Sequence, residues 1–373
     1  MIKQSLETHM SQLIDDVLAT PEDAEHIRDY FSWGQDTRHK VDNTEVMPTP
    51  PKQKNIVRRT LARWREHYQK NSKSGILRHF RRRYSQFEAS YQLMSDEASK
   101  RLFAELLLVA IISDKRMVLS SFSQEFIDSY EQASQQVLDG EETLEVYEWI
   151  LRKVEFQPLG VQIFTGPEML NLLNTGRLYR YERDGVCIDI ESGDVVLDAG
   201  VGWGDTTICL AKRAHNGGAG HLYAFDILAD GMAALDKQLT INPAIDNLTP
   251  ILKALSDTEG EIVNITSPSP GARVSDQDTG TQVETTTLDH FARQQALTKV
   301  DFIKMDIEGA EVPAINGARE IIIAHKPKLA ISVYHKWDDL LVIPALINSI
   351  RDDYEFYLDC TTGFGGEAVL YCR

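Results

Sequence analysis

Two patterns of hydrophobic and polar positions divide the chain near residue 160. Up to about Gly160, apolar residues recur mainly at helical spacing, and the Pro-rich stretch "NTEVMPTPPKQKN" interrupts them as a linker would. From about Asp184 onward, short β-branched runs alternate with helical segments, which is typical of a parallel sheet with crossover helices. We therefore predict a helical N-terminal region at 1–160 and an α/β domain at 161–373.

The strands predicted in the second half all end in polar or acidic residues. They are "VVLDAG", "HLYAFDI", "DFIKMDIEG" and "KLAISVYH". In the first half, "MSDEASKRLFAELLLVAI" predicts a helix with Ser95 as its N-cap. The segment "SPSPGARVSDQDTGTQ" predicts a flexible excursion that can cover a cleft of the α/β domain. Because ligands of open α/β sheets bind beyond the carboxyl ends of the strands, we expect the site at that edge.

Composition limits the class of protein. A chain of 373 residues with 42% apolar content can bury a core in two domains. The cysteines form no CxxC pair, which excludes a zinc knuckle or disulfide framework and favours a reducing compartment. The N-terminus is too charged for a signal peptide, and "LFAELLLVAII" is too short to span a bilayer. We expect a cytoplasmic protein without a membrane crossing.

Charge is distributed unevenly along the chain. The formal net charge is −17, yet residues 52–83 contain twelve Lys or Arg and a single acid. An acidic bulk argues against a nucleic-acid partner, which needs a basic face. The basic segment predicts either an amphipathic helix on a membrane surface or acidic glycan, or a solvated helix facing acidic groups of its own chain or a partner subunit. The oligomeric state stays open, a homodimer included. The helical pattern is formed by Val57, Leu61, Trp64 and Tyr68, with Arg58, Arg59, Arg63 and Arg65 between them.

The stretch "GDVVLDAGVGWGDTT" predicts a nucleotide-binding turn. Asp198 ends the strand, and Gly200, Gly202 and Gly204 follow at alternate positions. A dinucleotide site requires G-x-G-x-x-G, and here the third glycine comes one residue early. The spacing therefore favours S-adenosylmethionine (SAM) over the pyrophosphate of NAD. Asp226 ends the next strand, where an acid can accept hydrogen bonds from two ribose hydroxyls, and we place Ile227 beside it.

Two further acidic stretches follow strands. Ser256 and Asp257 in "ALSD" are candidates for a contact with the adenine amino group, although such an Asp also serves local turns. Asp306, Glu308 and Glu311 lie close together, so they should raise one another's pKa or gather a cation. For Glu311 we favour the simpler interpretation that it begins the following helix, where negative charge suits the dipole.

From roughly Val195 to Arg373 the chain resembles the FkbM family of SAM-dependent methyltransferases. The motifs are D-x-G-x-x-x-G-x-T from Asp198 to Thr206, then "YAFD", "ALSD", "TTLDHF", "KMDIEGAE", "ISVYHKWDDL" and "EAVLY". The upstream "YQLMSDEASKRLF" resembles the leader of many members. The resemblance implies a class I, Rossmann-like fold with a seven-stranded, mostly parallel sheet. It also implies Thr206 in the cofactor site and O-methylation of a sugar, glycan, glycolipid or natural-product hydroxyl.

Such a reaction needs a group that removes the hydroxyl proton. His335, at a strand end, is our candidate base, because an imidazole titrates near working pH. Asp306 is expected to orient it, to act as the base itself, or to ligate Mg²⁺ together with Glu308, and we also place Asp306 in the cofactor site. A protein or RNA methyltransferase, a non-catalytic SAM-binding protein and an NAD-dependent oxidoreductase are the alternatives.

Overall fold

A computed structural model describes residues 5–19, 73–112, 119–122, 124–147, 149–215, 220–266, 271–275, 277–363 and 365–373. The N-terminal region forms helices α1 to α4. The Val, Leu, Trp, Tyr and Arg residues of the predicted basic helix lie outside the described residues. The helices are α1 (Leu6–Ala19), α2 (Lys73–Leu93), α3 (Glu97–Ile112) and α4 (Gln124–Leu138).

An antiparallel sheet of three strands follows, where helix was predicted. Its order is β1-β2-β3. The helical interpretation is wrong from Thr143 onward, because both faces of β2 are used: Leu151 packs in a cluster with Ala234, whereas Val154 and Phe156 join a core cluster that includes central strands. Helix α5 and a β-hairpin then lead into the α/β domain. The bounds are β1 (Thr143–Val146), β2 (Trp149–Phe156), β3 (Val161–Thr165), α5 (Pro167–Asn174), β4 (Tyr181–Arg183) and β5 (Val186–Ile188).

The α/β domain is built on a seven-stranded sheet of order β15-β16-β14-β13-β6-β7-β8. Strands β14, β13, β6, β7 and β8 are mutually parallel, and β16 runs antiparallel to both β14 and β15. The predicted seven-stranded, mostly parallel fold is thus confirmed. The strands are β6 (Val195–Ala199), β7 (His221–Asp226), β8 (Leu248–Leu252), β13 (Phe302–Met305), β14 (Lys328–Ser332), β15 (Phe356–Cys360) and β16 (Ala368–Cys372).

Helices and a small second sheet complete this domain. The small sheet has the order β11-β10-β12-β9 and contains the described part of the predicted excursion. The helices are α6 (Asp205–Ala214), α7 (Ala229–Thr240), α8 (Leu288–Gln294), α9 (Glu311–Asn316), α10 (Arg319–His325) and α11 (Asp339–Ile350). The small-sheet strands are β9 (Ala254–Leu255), β10 (Ile262–Ile265), β11 (Val274–Ser275) and β12 (Gln282–Thr286).

Helix α3 is joined to the edge of the large sheet by hydrogen bonds. The backbone N–H of Phe356 donates to Ser95 Oγ at 2.9 Å, and that of Leu358 donates to Ser99 Oγ at 2.9 Å. Ser95 was predicted to cap α3, but Asp96 does so by accepting from the Ser99 N–H at 2.6 Å. Ser95 is instead committed to strand β15. The division of the chain at residue 160 stays a prediction.

Among the described helices, none combines the length and the apolar character needed to cross a membrane. All four cysteines are free thiols.

Candidate active site

A pocket lies at the carboxyl edge of the large sheet, where β6, β7, β13 and β14 end. Its walls carry Gly200, Gly202, Thr206, Asp226 and Ile227 of the predicted cofactor set. Asp306 lines the same pocket together with Lys304 of strand β13, which it follows, and Tyr179, Tyr334 and Glu367 come from three other segments. The structure therefore brings a nucleotide-type turn and a cluster of polar, ionisable side chains into one cavity.

The glycine turn has three positions with positive φ, and two of them, Gly200 and Gly202, lie on the pocket wall. Gly200 adopts φ +91°, and a Cβ there would lie 1.8 Å from the carbonyl oxygen of Asp306. Gly202 adopts φ +58° on the pocket wall, with nothing within 4 Å of where its Cβ would be. The turn can therefore pass under β13 and still leave room for a ligand to approach the backbone. Gly204, in contrast, packs against Leu235 at the start of α6, away from the wall.

Asp226 is fixed beside this turn. Its Oδ2 accepts from the N–H groups of Val201 at 2.9 Å and Gly202 at 3.1 Å, and its Oδ1 accepts from Leu228 at 2.9 Å. Burial raises the pKa of Asp226, whereas these backbone donors oppose that shift. A carboxylate has about four lone-pair sites, and three of them are filled here, so Oδ1 can still accept from a ribose hydroxyl.

Asp198 lies below the pocket rather than on its wall. It is fully buried, accepts from Thr207 Oγ1 at 2.7 Å, and lies 3.0 Å from Lys304 Nζ. Lys304 also donates to the carbonyl oxygens of Ala199, at 3.0 Å, and Gly200. The predicted cofactor contact of Asp198 is thus replaced by a supporting role, in which a buried ion pair anchors the turn.

Ser256 and Asp257 do not reach the pocket. The wall ends with Lys253, Ala254 and Leu255, and Asp257 is exposed to solvent. The reason is that β9 leaves the large sheet to pair in parallel with β12, and the Ser256 N–H then donates to Thr286 at 3.1 Å. The structure therefore gives no support to the predicted adenine contact.

Asp306 is surrounded by donors. Tyr179 Oη donates to its Oδ2 at 2.6 Å, Tyr334 Oη lies at 3.2 Å from Oδ1, and His335 Nε2 lies at 3.2 Å from Oδ1. Burial would raise the pKa of Asp306, but the adjacent His335 and the charge of Lys304 hold it well below its usual range. Asp306 is thus an ionised, fully engaged carboxylate.

His335 lies behind Asp306 and is not on the pocket wall. Its Nδ1 lies 2.8 Å from Glu311 Oε1 and its Nε2 faces Asp306, so the ring bridges two carboxylates. Burial would lower the pKa of His335, but the bonds to Asp306 and Glu311 outweigh it and raise the pKa to about 10. The expected pKa near that of an ordinary imidazole is therefore wrong, and His335 is a protonated, structural cation at neutral pH.

The acids of "KMDIEGAE" gather a cation, and that cation is His335. Glu311 begins α9, as expected, but is also buried as the Nδ1 partner. Glu308 lies 3.4 Å from Arg273 of the excursion, and burial raises its pKa. Asp306, Glu311 and His335 offer ligand atoms within 4.8 Å of one another. Since each ring nitrogen already faces a different carboxylate, the ion pair accounts for the cluster, and nothing here supports Mg²⁺.

Glu367 is a wall residue that the sequence reasoning did not single out, although it opens the motif "EAVLY". Its Oε1 lies 3.4 Å from Tyr334 Oη. Burial, followed by the charge of Asp306, raises the pKa of Glu367 to about 8. Its backbone is strained at φ +59°, as it also is at Tyr147, Tyr179 and Glu308 of the same pocket. Strain of this kind concentrates at ligand sites, and it cannot be detected from the sequence.

Two polar atoms on the wall agree with a ligand that carries its own hydrogen-bonding groups. Tyr147 Oη and Trp203 Nε1 are buried and make no hydrogen bond with the described residues. An unpaired buried polar group costs about 1–3 kcal/mol, so such atoms are expected where a ligand provides the partner. Together with Asp226 and the open space at Gly202, they fit an adenosyl cofactor.

The sequence of the same region matches a known domain. Residues 194–354 match the model of the methyltransferase FkbM domain. This segment is similar to the FkbM methyltransferase domain. The resemblance predicted from the motifs is confirmed over these residues, and SAM is the methyl donor that an FkbM domain implies.

Solved structures similar to this chain include an FkbM methyltransferase from Methylobacillus flagellatus, at 18% identity and a TM-score of 0.49, covering 79% of this chain and 60% of that one. An rRNA methylase from Streptococcus thermophilus shows 19% identity and a TM-score of 0.31, over 50% and 87%. A SAM-dependent methyltransferase from Aquifex aeolicus shows 16% identity and a TM-score of 0.28, covering 50% of this chain and 83% of that one. No curated protein matches the sequence. The chain spans 60% of the first of these structures.

Proposed function

We propose that this protein transfers the methyl group of SAM to a hydroxyl oxygen of a sugar, glycan, glycolipid or natural product. The observation that carries the proposal is the single pocket with Asp226 on one wall and the Asp306, Tyr334 and Glu367 cluster on another. SAM supplies a methyl group on a sulfonium, and the protein has to align an oxygen and remove its proton. The polar cluster is suited to bind a hydroxylated acceptor.

We assign the proton-accepting role to Glu367. A base needs an oxygen that is free to receive a proton, and Asp306 is already engaged by Tyr179, Tyr334 and His335. The single proton of Tyr334 is shared between Asp306 at 3.2 Å and Glu367 at 3.4 Å, so Glu367 has fewer donors than Asp306. A pKa of about 8 lies close to working pH, as general-base catalysis favours.

In this arrangement Asp306 and His335 position the cluster instead of taking up the proton. Asp306 orients the hydroxyls of Tyr179 and Tyr334, and His335 keeps Asp306 ionised. The fixed negative charge of Asp306 also lies in the pocket that would receive the positively charged sulfonium. Electrostatic arrangements that exist before the reaction are among the largest contributions to catalysis.

The proposal is tested by methyl transfer from labelled SAM with the full chain. Hydroxylated sugars, glycans, glycolipids and small natural products are offered in parallel with protein and RNA, each with and without a chelator. We expect an O-methyl product that forms equally well in the chelator. Methylation of protein or RNA alone would show that the acceptor belongs to that class instead. Turnover that is lost in the chelator would show that the reaction needs a metal.

A further inference from the structure

Four wall residues of the cofactor pocket lie outside the matched domain, and Tyr147 is one of them. Tyr147 follows Val146 at the turn of the β1–β2 hairpin, in which Val146 pairs with Trp149. This turn precedes residues 194–354, yet Tyr147 lines the same pocket as Asp226. The hairpin therefore inserts its tip into the wall of the cavity.

The backbone of Tyr147 is held in an unfavourable conformation. Its φ of +57° is in the left-handed region, which glycine and asparagine adopt more readily than tyrosine. A residue held there costs of order 1–3 kcal/mol and persists where the surroundings determine it. The tyrosine at this turn therefore lowers the stability of the backbone, while its side chain lies in the pocket wall.

The hydroxyl of Tyr147 is a second feature that folding alone does not explain. It is buried, the backbone of Gly231 lies near its oxygen, and no described residue accepts its proton. Burial, then the charges of Asp226 and Asp230, raise the pKa of Tyr147, so the group remains a neutral O–H donor at working pH. A neutral donor beside a carboxylate is suited to a ligand group that both accepts and donates.

Tyr147 and Asp226 approach one point from two sides. A Cβ built on Gly231 of helix α7 would lie 3.5 Å from Tyr147 Oη and 3.8 Å from Asp226 Cγ. It would also lie 2.8 Å from the carbonyl oxygen of Gly202, so glycine is required for the close approach of these groups. Glycine within a helix costs about 1 kcal/mol relative to alanine. Here it leaves the space between the two groups free of a side chain.

We propose that the hydroxyl of Tyr147 and the carboxylate of Asp226 together hold the ribose diol of the cofactor. The hairpin then completes a pocket that the matched domain alone leaves open. A ribose hydroxyl donates to Asp226 and accepts from Tyr147, which satisfies the buried hydroxyl. This inference rests on the proposed use of SAM and is independent of the acceptor.

The test uses S-adenosylhomocysteine (SAH), titrated calorimetrically into the full chain. Tyr147→Phe keeps the ring and removes the hydroxyl, and Tyr357→Phe is the matched control, because its hydroxyl lies near Glu355 and away from the pocket. A neutral hydrogen bond contributes about 0.5–1.5 kcal/mol, so Tyr147→Phe should weaken SAH binding roughly two- to twelvefold. An SAH analogue without ribose hydroxyls should bind Tyr147→Phe and the wild type equally.

Thermal unfolding separates this role from a structural one. Without ligand, Tyr147→Phe should melt at or above the wild-type temperature, because it removes an unpaired buried group. The inference is overturned if Tyr147→Phe binds SAH within twofold of wild type, if it weakens SAH and the analogue alike, or if it melts below wild type without ligand. If the wild type itself fails to bind SAH, the proposed use of SAM is wrong. If only the Tyr147 inference is wrong, the wild type still binds SAH.

Discussion

At the scale of single residues, the ionisable groups of the pocket differ in the number of partners that each one has. Asp306 faces three donor side chains, and His335 is enclosed between Asp306 and Glu311. Glu367 faces one shared tyrosine hydroxyl. The group with the fewest partners is the one that can change its protonation state during a reaction.

Glu367→Gln tests that distinction through pH. The folded-state pKa of Glu367 is raised from 4.5 to about 8, so turnover of the wild type should rise with pH through about 8. The variant should lose a factor of about 10²–10⁴ in rate and show no such rise. Glu308→Gln, on the same wall but paired with Arg273, should remain within tenfold of wild type. Equal rates and pH profiles for Glu367→Gln and wild type would contradict the base assignment.

The same variant makes a prediction that needs no acceptor. Because the native state keeps the proton to a higher pH than the unfolded state, wild-type stability should fall between pH 4.5 and about 8 from this group. Glu367→Gln lacks that loss. Urea unfolding should therefore find the variant more stable than wild type at pH 9 and similar to it at pH 4.5.

His335→Gln should act on stability. The folded-state pKa of His335 is raised from 6.5 to about 10, so its contribution is fully present below pH 6.5 and lost as pH rises through about 10. Removing the cation leaves Asp306 and Glu311 unpaired, which costs about 3–5 kcal/mol in buried pairs. Urea unfolding should show this loss at pH 6 and a smaller one at pH 10, with the partly exposed His290→Gln as control. A stable variant that is inactive would restore the base role predicted from the sequence.

Sequence reasoning identified these site residues unevenly, for a physical reason. Asp226 and Asp306 were found because parallel strands end at one edge of a sheet, a rule that depends on position in the chain. Glu367 follows an antiparallel reversal, and Tyr147 belongs to a hairpin that reads as helix in the sequence. The base role was predicted for His335 because the sequence does not show that Glu311 contacts its ring. That contact depends on tertiary geometry.

At the scale of elements, the glycine turn depends on the pairing of β6 with β13. Their register sets Lys304 opposite Asp198, and Lys304 then reaches the carbonyls of the turn. The strands themselves were predictable from their β-branched runs. The pairing of β9 with β12 could not be predicted, because it depends on where β12 lies in the folded structure.

Lys304→Met should therefore destabilise the protein and weaken SAH binding together. It leaves Asp198 as an unpaired buried charge, at a cost of about 3–5 kcal/mol. The double variant with Asp198→Asn should recover much of that loss. Lys299→Met, whose exposed pair with Asp301 contributes about 0–1 kcal/mol, is the control. Calorimetric unfolding that places Lys304→Met level with Lys299→Met would show that the ion pair does not hold the turn.

At the scale of the whole molecule, the chain combines an acidic bulk with the basic segment 52–83. We propose that this segment assists binding to an acidic glycan or a membrane surface. Replacing Arg58, Arg59, Arg63 and Arg65 by Gln should weaken association with anionic vesicles or acidic glycans in a salt-sensitive way and leave SAH affinity intact. Unchanged association in sedimentation assays would favour the solvated-helix alternative.

The central claim is that the pocket beside Asp226 holds SAM. Titration of the full chain with SAH and with NAD tests it directly, in the wild type and in Asp226→Ala. We predict micromolar binding of SAH, no binding of NAD, and a loss of at least tenfold for Asp226→Ala, because hydrogen bonds to a charged group contribute about 1.5–3 kcal/mol each. Binding of NAD, or an Asp226→Ala variant that binds SAH as tightly as wild type, would contradict the account.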